Sequence, residues 1–197
     1  MDMEGELSEL RNQALQKIGR NVLNFQRMEK ALKSIIKASN LQGHTSDLAE
    51  IHRKNSDWVD KRSMGVLVDE FLNAVYANDR PEEVTSPDNS GPGETWVSFA
   101  FRAERDEERI TALREALLRV VRERNELFHQ MLGTFDSSSD ESCRDLISRL
   151  DEQNERLRPY YNWVMQMLEG LRSLQQEHLA NLEDMLRATG MGSGDGA

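Results

Sequence analysis

The sequence predicts an all-α protein of a single domain, and two observations support this prediction. Apolar residues recur at alternating three- and four-residue spacing through most of the chain. Only four of the 197 residues are proline, and long stretches contain neither proline nor glycine. We therefore expect one domain over residues 1–188, followed by a disordered, glycine-rich tail over 189–197.

The apolar spacing places five helices along the chain. Gly43 and Gly133 are expected to end helices, and Pro159 is expected to kink or split the last one. The predicted helices cover about 7–40, a segment from a cap at 45–47 to 61, 64–77, 105–132 and 141–187.

Residues 79–103 interrupt this helical pattern. The part from 79 to 95 contains three of the four prolines, which indicates a loop or turn. The short aromatic run 96–101 is expected to pair with 83–85, which gives a small β-hairpin insertion around 82–103.

Composition narrows the class of protein. The acidic N-terminus does not resemble a signal peptide, and no apolar run is long enough to span a bilayer. The single Cys143 permits no intramolecular disulfide, and no Cys/His cluster has zinc spacing. We expect a reduced, cytoplasmic protein without a metal, a cofactor or a membrane partner.

The charge is unevenly distributed. The net charge of −10 argues against a general nucleic-acid coat protein, yet residues 11–62 carry eleven Lys/Arg against five Asp/Glu. Five basic residues gather on the first helix, opposite its apolar stripe. They form either a solvated face or a phosphate-facing stripe that helps to guide RNA. These residues are Arg20, Arg27, Lys30, Lys33 and Lys37.

Arg124 lies on the apolar seam of the fourth helix, where a charge is unexpected. Its neighbours one turn away are apolar, so we expect no carboxylate of its own helix to pair with it. A buried guanidinium without a partner is costly. Arg124 should therefore meet either an anion or a carboxylate from another helix, for which Glu29 on the first helix is the candidate.

His129 follows Arg124 after five residues and adds a group that transfers protons near neutral pH. RNA cleavage needs a base for the ribose 2′-hydroxyl, an acid for the leaving 5′-oxygen and a donor for the phosphoryl oxygens. His129 can act as base or acid, and Arg124 can bind phosphate through its planar fork. Asn125 lies four residues before His129, where it is placed to orient the imidazole.

The spacing of this pair favours a site shared between two copies of the chain. On an ideal α-helix, five residues place Arg124 and His129 roughly 140° apart. A two-fold dimer in which these helices face each other would bring two histidines and two arginines into one cleft.

The pattern Arg124-Asn125-x-x-x-His129 resembles the signature of the HEPN superfamily, and its context resembles plasmid- and defence-associated HEPN ribonucleases. The resemblance implies an up-and-down antiparallel helical bundle that dimerises through the motif helices. It also implies a metal-independent endoribonuclease with Arg124 and His129 as the catalytic pair. A toxin or phage-defence role under an antitoxin or another regulatory partner would follow. One subgroup has tyrosine two residues after the histidine, where this chain has Met131.

Two other functions stay open. A non-catalytic HEPN-like module that binds RNA or protein agrees with the acidic bulk of the chain and with the 140° separation. A plain helical adaptor is also conceivable, but it leaves Arg124 without a purpose.

Overall fold

The computed structural model describes residues 3–76, 96–104 and 106–188, and these residues are mostly helical. The predicted all-α class is confirmed, with one small sheet in addition; the predicted tail and residues 83–85 lie outside the described residues. The helices are α1 (Met3–Ser39), α2 (Leu48–Asp60), α3 (Met64–Tyr76), α4 (Glu107–Glu126), α5 (Leu132–Thr134) and α6 (Asp140–Ala188). A π-helical turn, Leu127–Met131, joins α4 to α5.

Apolar residues at helical spacing form one hydrophobic core between α1, α3, α4 and α6. Phe25 and Leu32 of α1, Phe71 of α3, Leu117 of α4 and Leu150 of α6 belong to one buried cluster, and each is at most 1% exposed. The period of 3.6 residues aligns these side chains on one face of each helix, so burying them holds the bundle together.

Successive long helices reverse direction, as the predicted up-and-down order requires, but the most extensive helix pair is parallel. Residue numbers increase in the same direction along both helices at their contacts, from Glu6 with Arg144 to Asn24 with Asn154. The helices α1, α2, α3, α4 and α6 alternate in direction. The first and the fifth of them, α1 and α6, therefore run the same way. α4 is antiparallel to its neighbours α3 and α6. The prediction that neighbouring helices are antiparallel is therefore wrong for α1 and α6.

The two described strands come from distant parts of the chain. Strand β2 (Trp96–Ala100) confirms the predicted strand, but its partner is β1 (Asn40–His44), directly after α1. The strands are antiparallel, and the bond from Phe101 N to Ser39 O (2.8 Å) continues the contact. Gly43 fits this turn into α2 because its φ is 156° and a Cβ there would lie 2.6 Å from Ile51 Cδ1.

Pro159 does not split the last helix, because α6 continues through it without interruption. Proline removes one backbone hydrogen bond. Buried Leu157 and Val164 hold the two halves of α6 on the same core. None of the described helices combines the length and apolarity that a bilayer crossing requires.

A buried polar network connects α1, α6 and α4 at one level of the bundle. Asn21 and Gln153 are both fully buried. Asn21 Nδ2 donates to Leu150 O (2.9 Å) and to Gln153 Oε1 (3.1 Å). Gln153 Nε2 in turn donates to Glu123 O (2.8 Å). These bonds form only when the three helices have one position relative to each other along their axes. The network therefore prevents the helices from sliding past one another.

Asn21→Ala should lower the free energy of unfolding by about 1–3 kcal/mol, because it leaves Leu150 O and Gln153 Oε1 without this buried donor. Urea denaturation measures the loss. Asn24→Ala is the matched control: its bond to Asn154 (3.1 Å) is only part-buried, so we expect about 1 kcal/mol or less. Equal losses in the two variants would contradict a special role for the buried network.

Asp151 should make stability fall in acid. The hydrogen bond from Lys17 (2.7 Å) holds the pKa of this carboxyl below its ordinary value of 3.8. A lowered pKa stabilises the fold at pH values above the unfolded pKa, and this contribution disappears as pH falls through the folded pKa. Asp151→Asn should therefore destabilise the protein more at about pH 6 than at about pH 2. The side chain is 45% exposed, so we expect roughly 1 kcal/mol or less. A pH-independent difference would contradict the mechanism.

Candidate functional site

The helix that carries the motif changes its winding at the motif itself. The sequence predicted an α-helix through residue 132, but α4 ends at Glu126 and a π-turn follows. The Leu127 N–H bonds to the carbonyls of Glu123 and Arg124, whereas the Leu132 N–H bonds back five residues to Leu127 O. Such π-turns are rare and are frequently found at functional sites.

The π-turn shortens the angular gap between Arg124 and His129. A hydrogen bond that spans five residues encloses a wider ring than the α-helical bond, so each residue turns the chain by less than about 100°. The separation is therefore smaller than the 140° of an ideal helix. The two side chains do not contact each other, but the winding moves them toward one face.

Two buried residues anchor the π-turn, and three exposed residues project from it. Leu127 is 0% and Met131 2% exposed, so both insert into the core. Between them Phe128, His129 and Gln130 are exposed. The core thus holds the backbone of the motif while the intervening side chains face solvent.

Arg124 is half-buried rather than enclosed, so its charge is not fully desolvated. Its Nη1 donates to Asn125 Oδ1 (3.3 Å), and its Cζ lies 5.2 Å from the centre of the Phe128 ring. Over residues 3–76, 96–104 and 106–188, no carboxylate forms an ion pair with Arg124. Asn125 contacts Arg124 and not His129, so its predicted role of orienting the imidazole is not seen in this structure.

The predicted pairing of Glu29 with Arg124 does not form. The Glu29 carboxylate accepts a bond from Lys33 Nζ (2.9 Å), one turn further along α1. The reason is the arrangement of helices: α4 packs on α3 and α6, and α1 lies across the bundle from it. Glu29 is thus outside the motif site.

The two glutamates beside the motif are both held by α6. Glu123 accepts bonds from Arg156 at 2.6 and 3.1 Å, and this hydrogen bonding raises the pKa of Arg156. Glu123 is also bonded to Gln153, and Glu126 pairs with Arg149 (3.4 Å). Both carboxylates are thus paired with arginines of α6, and Arg124 between them has no acidic partner among the described residues.

The basic residues predicted on α1 do not form one free cationic stripe. Arg27 and Lys30 are exposed and have no acidic partner among the described residues. The other three are held within the chain, which lowers the positive charge that this helix offers to an anionic ligand. Their ion pairs are Arg20 with Asp151 (3.2 Å), Lys33 with Glu29 (2.9 Å) and Lys37 with Asp60 (2.7 Å).

The motif surface therefore presents a guanidinium, an imidazole, an amide and an aromatic ring. Arg124 can bind an anion, His129 can accept or donate a proton, and Phe128 offers an exposed face for stacking. Among the described residues, no three or more His, Cys, Asp or Glu side chains come together as a metal site would require.

Sequence reasoning missed Phe128 and the two arginines of α6 that pair with Glu123 and Glu126. Phe128 follows Arg124 by four residues, a spacing that places two side chains on one helix face and so gave a usable signal. Arg149 and Arg156 are seven residues apart in α6, also on one face, but nothing in the sequence assigned them to Glu126 and Glu123.

Comparisons of this chain with protein-family models, with curated proteins and with solved structures found no match.

Proposed function

We propose that this chain is a metal-independent endoribonuclease of HEPN type that cleaves RNA at the surface of the π-turn. The observation that carries the proposal is the charge state of this surface. Arg124 has no carboxylate partner among the described residues, while Glu123 and Glu126 beside it are neutralised by Arg156 and Arg149. An arginine left in this state is suited to a phosphate.

The reaction we propose is an internal transesterification. A base removes the proton of the ribose 2′-hydroxyl, the 2′-oxygen attacks the adjacent phosphorus, and the bond from phosphorus to the 5′-oxygen breaks. The leaving oxygen takes up a proton, which gives a 2′,3′-cyclic phosphate and a 5′-hydroxyl. Arg124 donates to the non-bridging phosphoryl oxygens, and His129 serves as base or acid.

One imidazole cannot act as base and acid in the same step, so we propose a composite site. A second copy packed against the exposed motif surface would supply the other histidine and a second arginine. The half-exposed Phe128 at this surface favours such a contact or a stacked base. Because an active nuclease of this kind would harm its host, we propose a toxin or phage-defence role under an antitoxin or another regulatory partner.

A second candidate is a non-catalytic HEPN-like module that binds RNA or protein. One observation favours it: the imidazole of His129 has no hydrogen-bond partner within the described residues, and the amide of Asn125 is turned toward Arg124. A catalytic histidine is ordinarily oriented by a neighbouring group.

His129→Ala should reduce cleavage of end-labelled single-stranded RNA in EDTA by about 10²–10⁴-fold, the usual contribution of a general acid or base. The variant should stay folded because His129 is exposed. His52→Ala is the matched control, since His52 is also exposed on a helix. It should cleave at the wild-type rate. If His129→Ala cleaves normally, catalysis by this histidine is refuted; if wild type binds RNA without cutting it, the binding module is supported.

Arg156→Ala should weaken RNA binding, because it releases the Glu123 carboxylate beside Arg124. We expect roughly a five- to tenfold rise in Kd for an uncleavable 2′-deoxy analogue at low salt, as an added negative charge repels phosphate. Fluorescence anisotropy measures it. Arg158→Ala is the control because Arg158 pairs with the exposed Glu155 (3.0 Å). Equal effects of both variants would show only a general loss of positive charge.

A further inference from the structure

The side of α1 that points away from the core carries no charged residue from Gly5 to Gln26, and Lys30 is the next residue on it. Residues wound at about 100° place buried Ala14 and Phe25 on one side of α1 and a second set on the opposite side. We name this second set the outer face of α1. It consists of Gly5, Ser8, Asn12, Leu15, Gly19, Leu23 and Gln26. A solvated helix face ordinarily carries charged residues, so this face is suited to a contact.

The centre of the outer face combines two exposed leucines with a glycine. Leu15 is 52% and Leu23 50% exposed. Gly19 lies midway between them, and a Cβ there would meet nothing within 4 Å. No contact with the described part of the chain requires glycine at this position, although glycine weakens a helix interior. A second helix, by contrast, could approach closely at Gly19 and cover both leucines.

The outer face is nearly symmetric about Gly19. Leu15 and Leu23 lie four residues away on either side, and Asn12 and Gln26 lie seven residues away. This arrangement suits an isologous contact, in which residue i of one copy meets residue j of the other and j meets i. An antiparallel second copy centred on Gly19 would set Leu15 of each chain against Leu23 of the other.

The charges at the two ends select the antiparallel direction. Glu4 and Glu9 are exposed before the leucines, whereas Arg27 and Lys30 are exposed after them. None of these four has an ion-pair partner among the described residues. Glu9 and Arg27 lie on the same flank of α1, and the same flanks meet in an antiparallel two-fold pair. Antiparallel copies therefore place acidic ends beside basic ends, whereas parallel copies would place like charges together.

We propose that two copies of this chain pair antiparallel through the outer face of α1, with the two-fold axis at Gly19. α4 packs mainly on α3 and α6, so the outer face of α1 and the motif surface lie on different helices and Arg124 and His129 stay accessible. It is separate from the composite site proposed above. If both contacts form, the assembly contains two kinds of two-fold interface and is larger than a dimer.

Sedimentation equilibrium of the full chain with Leu15→Glu tests the interface. We expect wild type at twice the chain mass of 22.6 kDa or more. Leu15→Glu should raise the dissociation constant of the α1 contact by about tenfold or more, because it buries an unpaired carboxylate against Leu23 of the other copy. Leu174→Glu is the matched control, since Leu174 on α6 is also 52% exposed. A monomeric wild type, or equal effects of both variants, would overturn the proposal.

Disulfide trapping tests the direction of pairing. In the proposed dimer, the two copies of residue 15 are separated by about 12 Å along the helix axis, too far for a disulfide. Leu15→Cys and Leu23→Cys should therefore cross-link rapidly when mixed and not when oxidised separately. Wild type is the control, since its Cys143 is buried. Cross-linking of each variant with itself, or none in the mixture, would overturn the antiparallel arrangement. Neither experiment measures RNA cleavage, so the result does not depend on the proposed function.

Discussion

The hydrogen bonds from Asn21 through Gln153 to Glu123 set the relative height of α1, α6 and α4. Apolar side chains alone allow helices to slide by a turn, because one leucine can replace another at an interface. Buried amides do not allow it, since each unpaired group costs about 1–3 kcal/mol. The core supplies most of the stabilisation, and the network selects one arrangement among those that bury a similar apolar area.

The same network reaches the motif, because Glu123 is adjacent to Arg124. Gln153 and Arg156 hold Glu123 from α6, and Leu127 and Met131 hold the π-turn in the core. The backbone of the motif is thus fixed on both sides of the exposed side chains. The ion pairs that hold it also neutralise its acidic neighbours, so one set of contacts provides both rigidity and a local positive charge in an acidic protein.

The sequence predicted the helices within a few residues, because their period and their end signals are local. It also identified the Arg–Asn–His motif, whose role no comparison tests, but it placed Arg124 on a buried seam, where the structure has it half-exposed. Three features could not be predicted, since each depends on distant residues or on tertiary packing. Asn40–His44 contains no β-branched residue, and it forms a strand only because 96–100 returns beside it. The π-turn forms where the apolar spacing is still that of a regular α-helix, so the spacing gave no sign of it. Glu29, expected to meet Arg124, is instead bonded to Lys33 because α1 lies across the bundle from α4.

The chemistry of the RNA ends left by cleavage tests the central claim most directly. Purified wild-type protein would be incubated in EDTA with a defined single-stranded RNA, and the fragments identified by mass spectrometry. Attack by the 2′-hydroxyl, with Arg124 and His129 as the acting groups, predicts 2′,3′-cyclic phosphate and 5′-hydroxyl ends. Fragments with 3′-hydroxyl and 5′-phosphate ends would contradict it, because they require attack by water with departure of the 3′-oxygen.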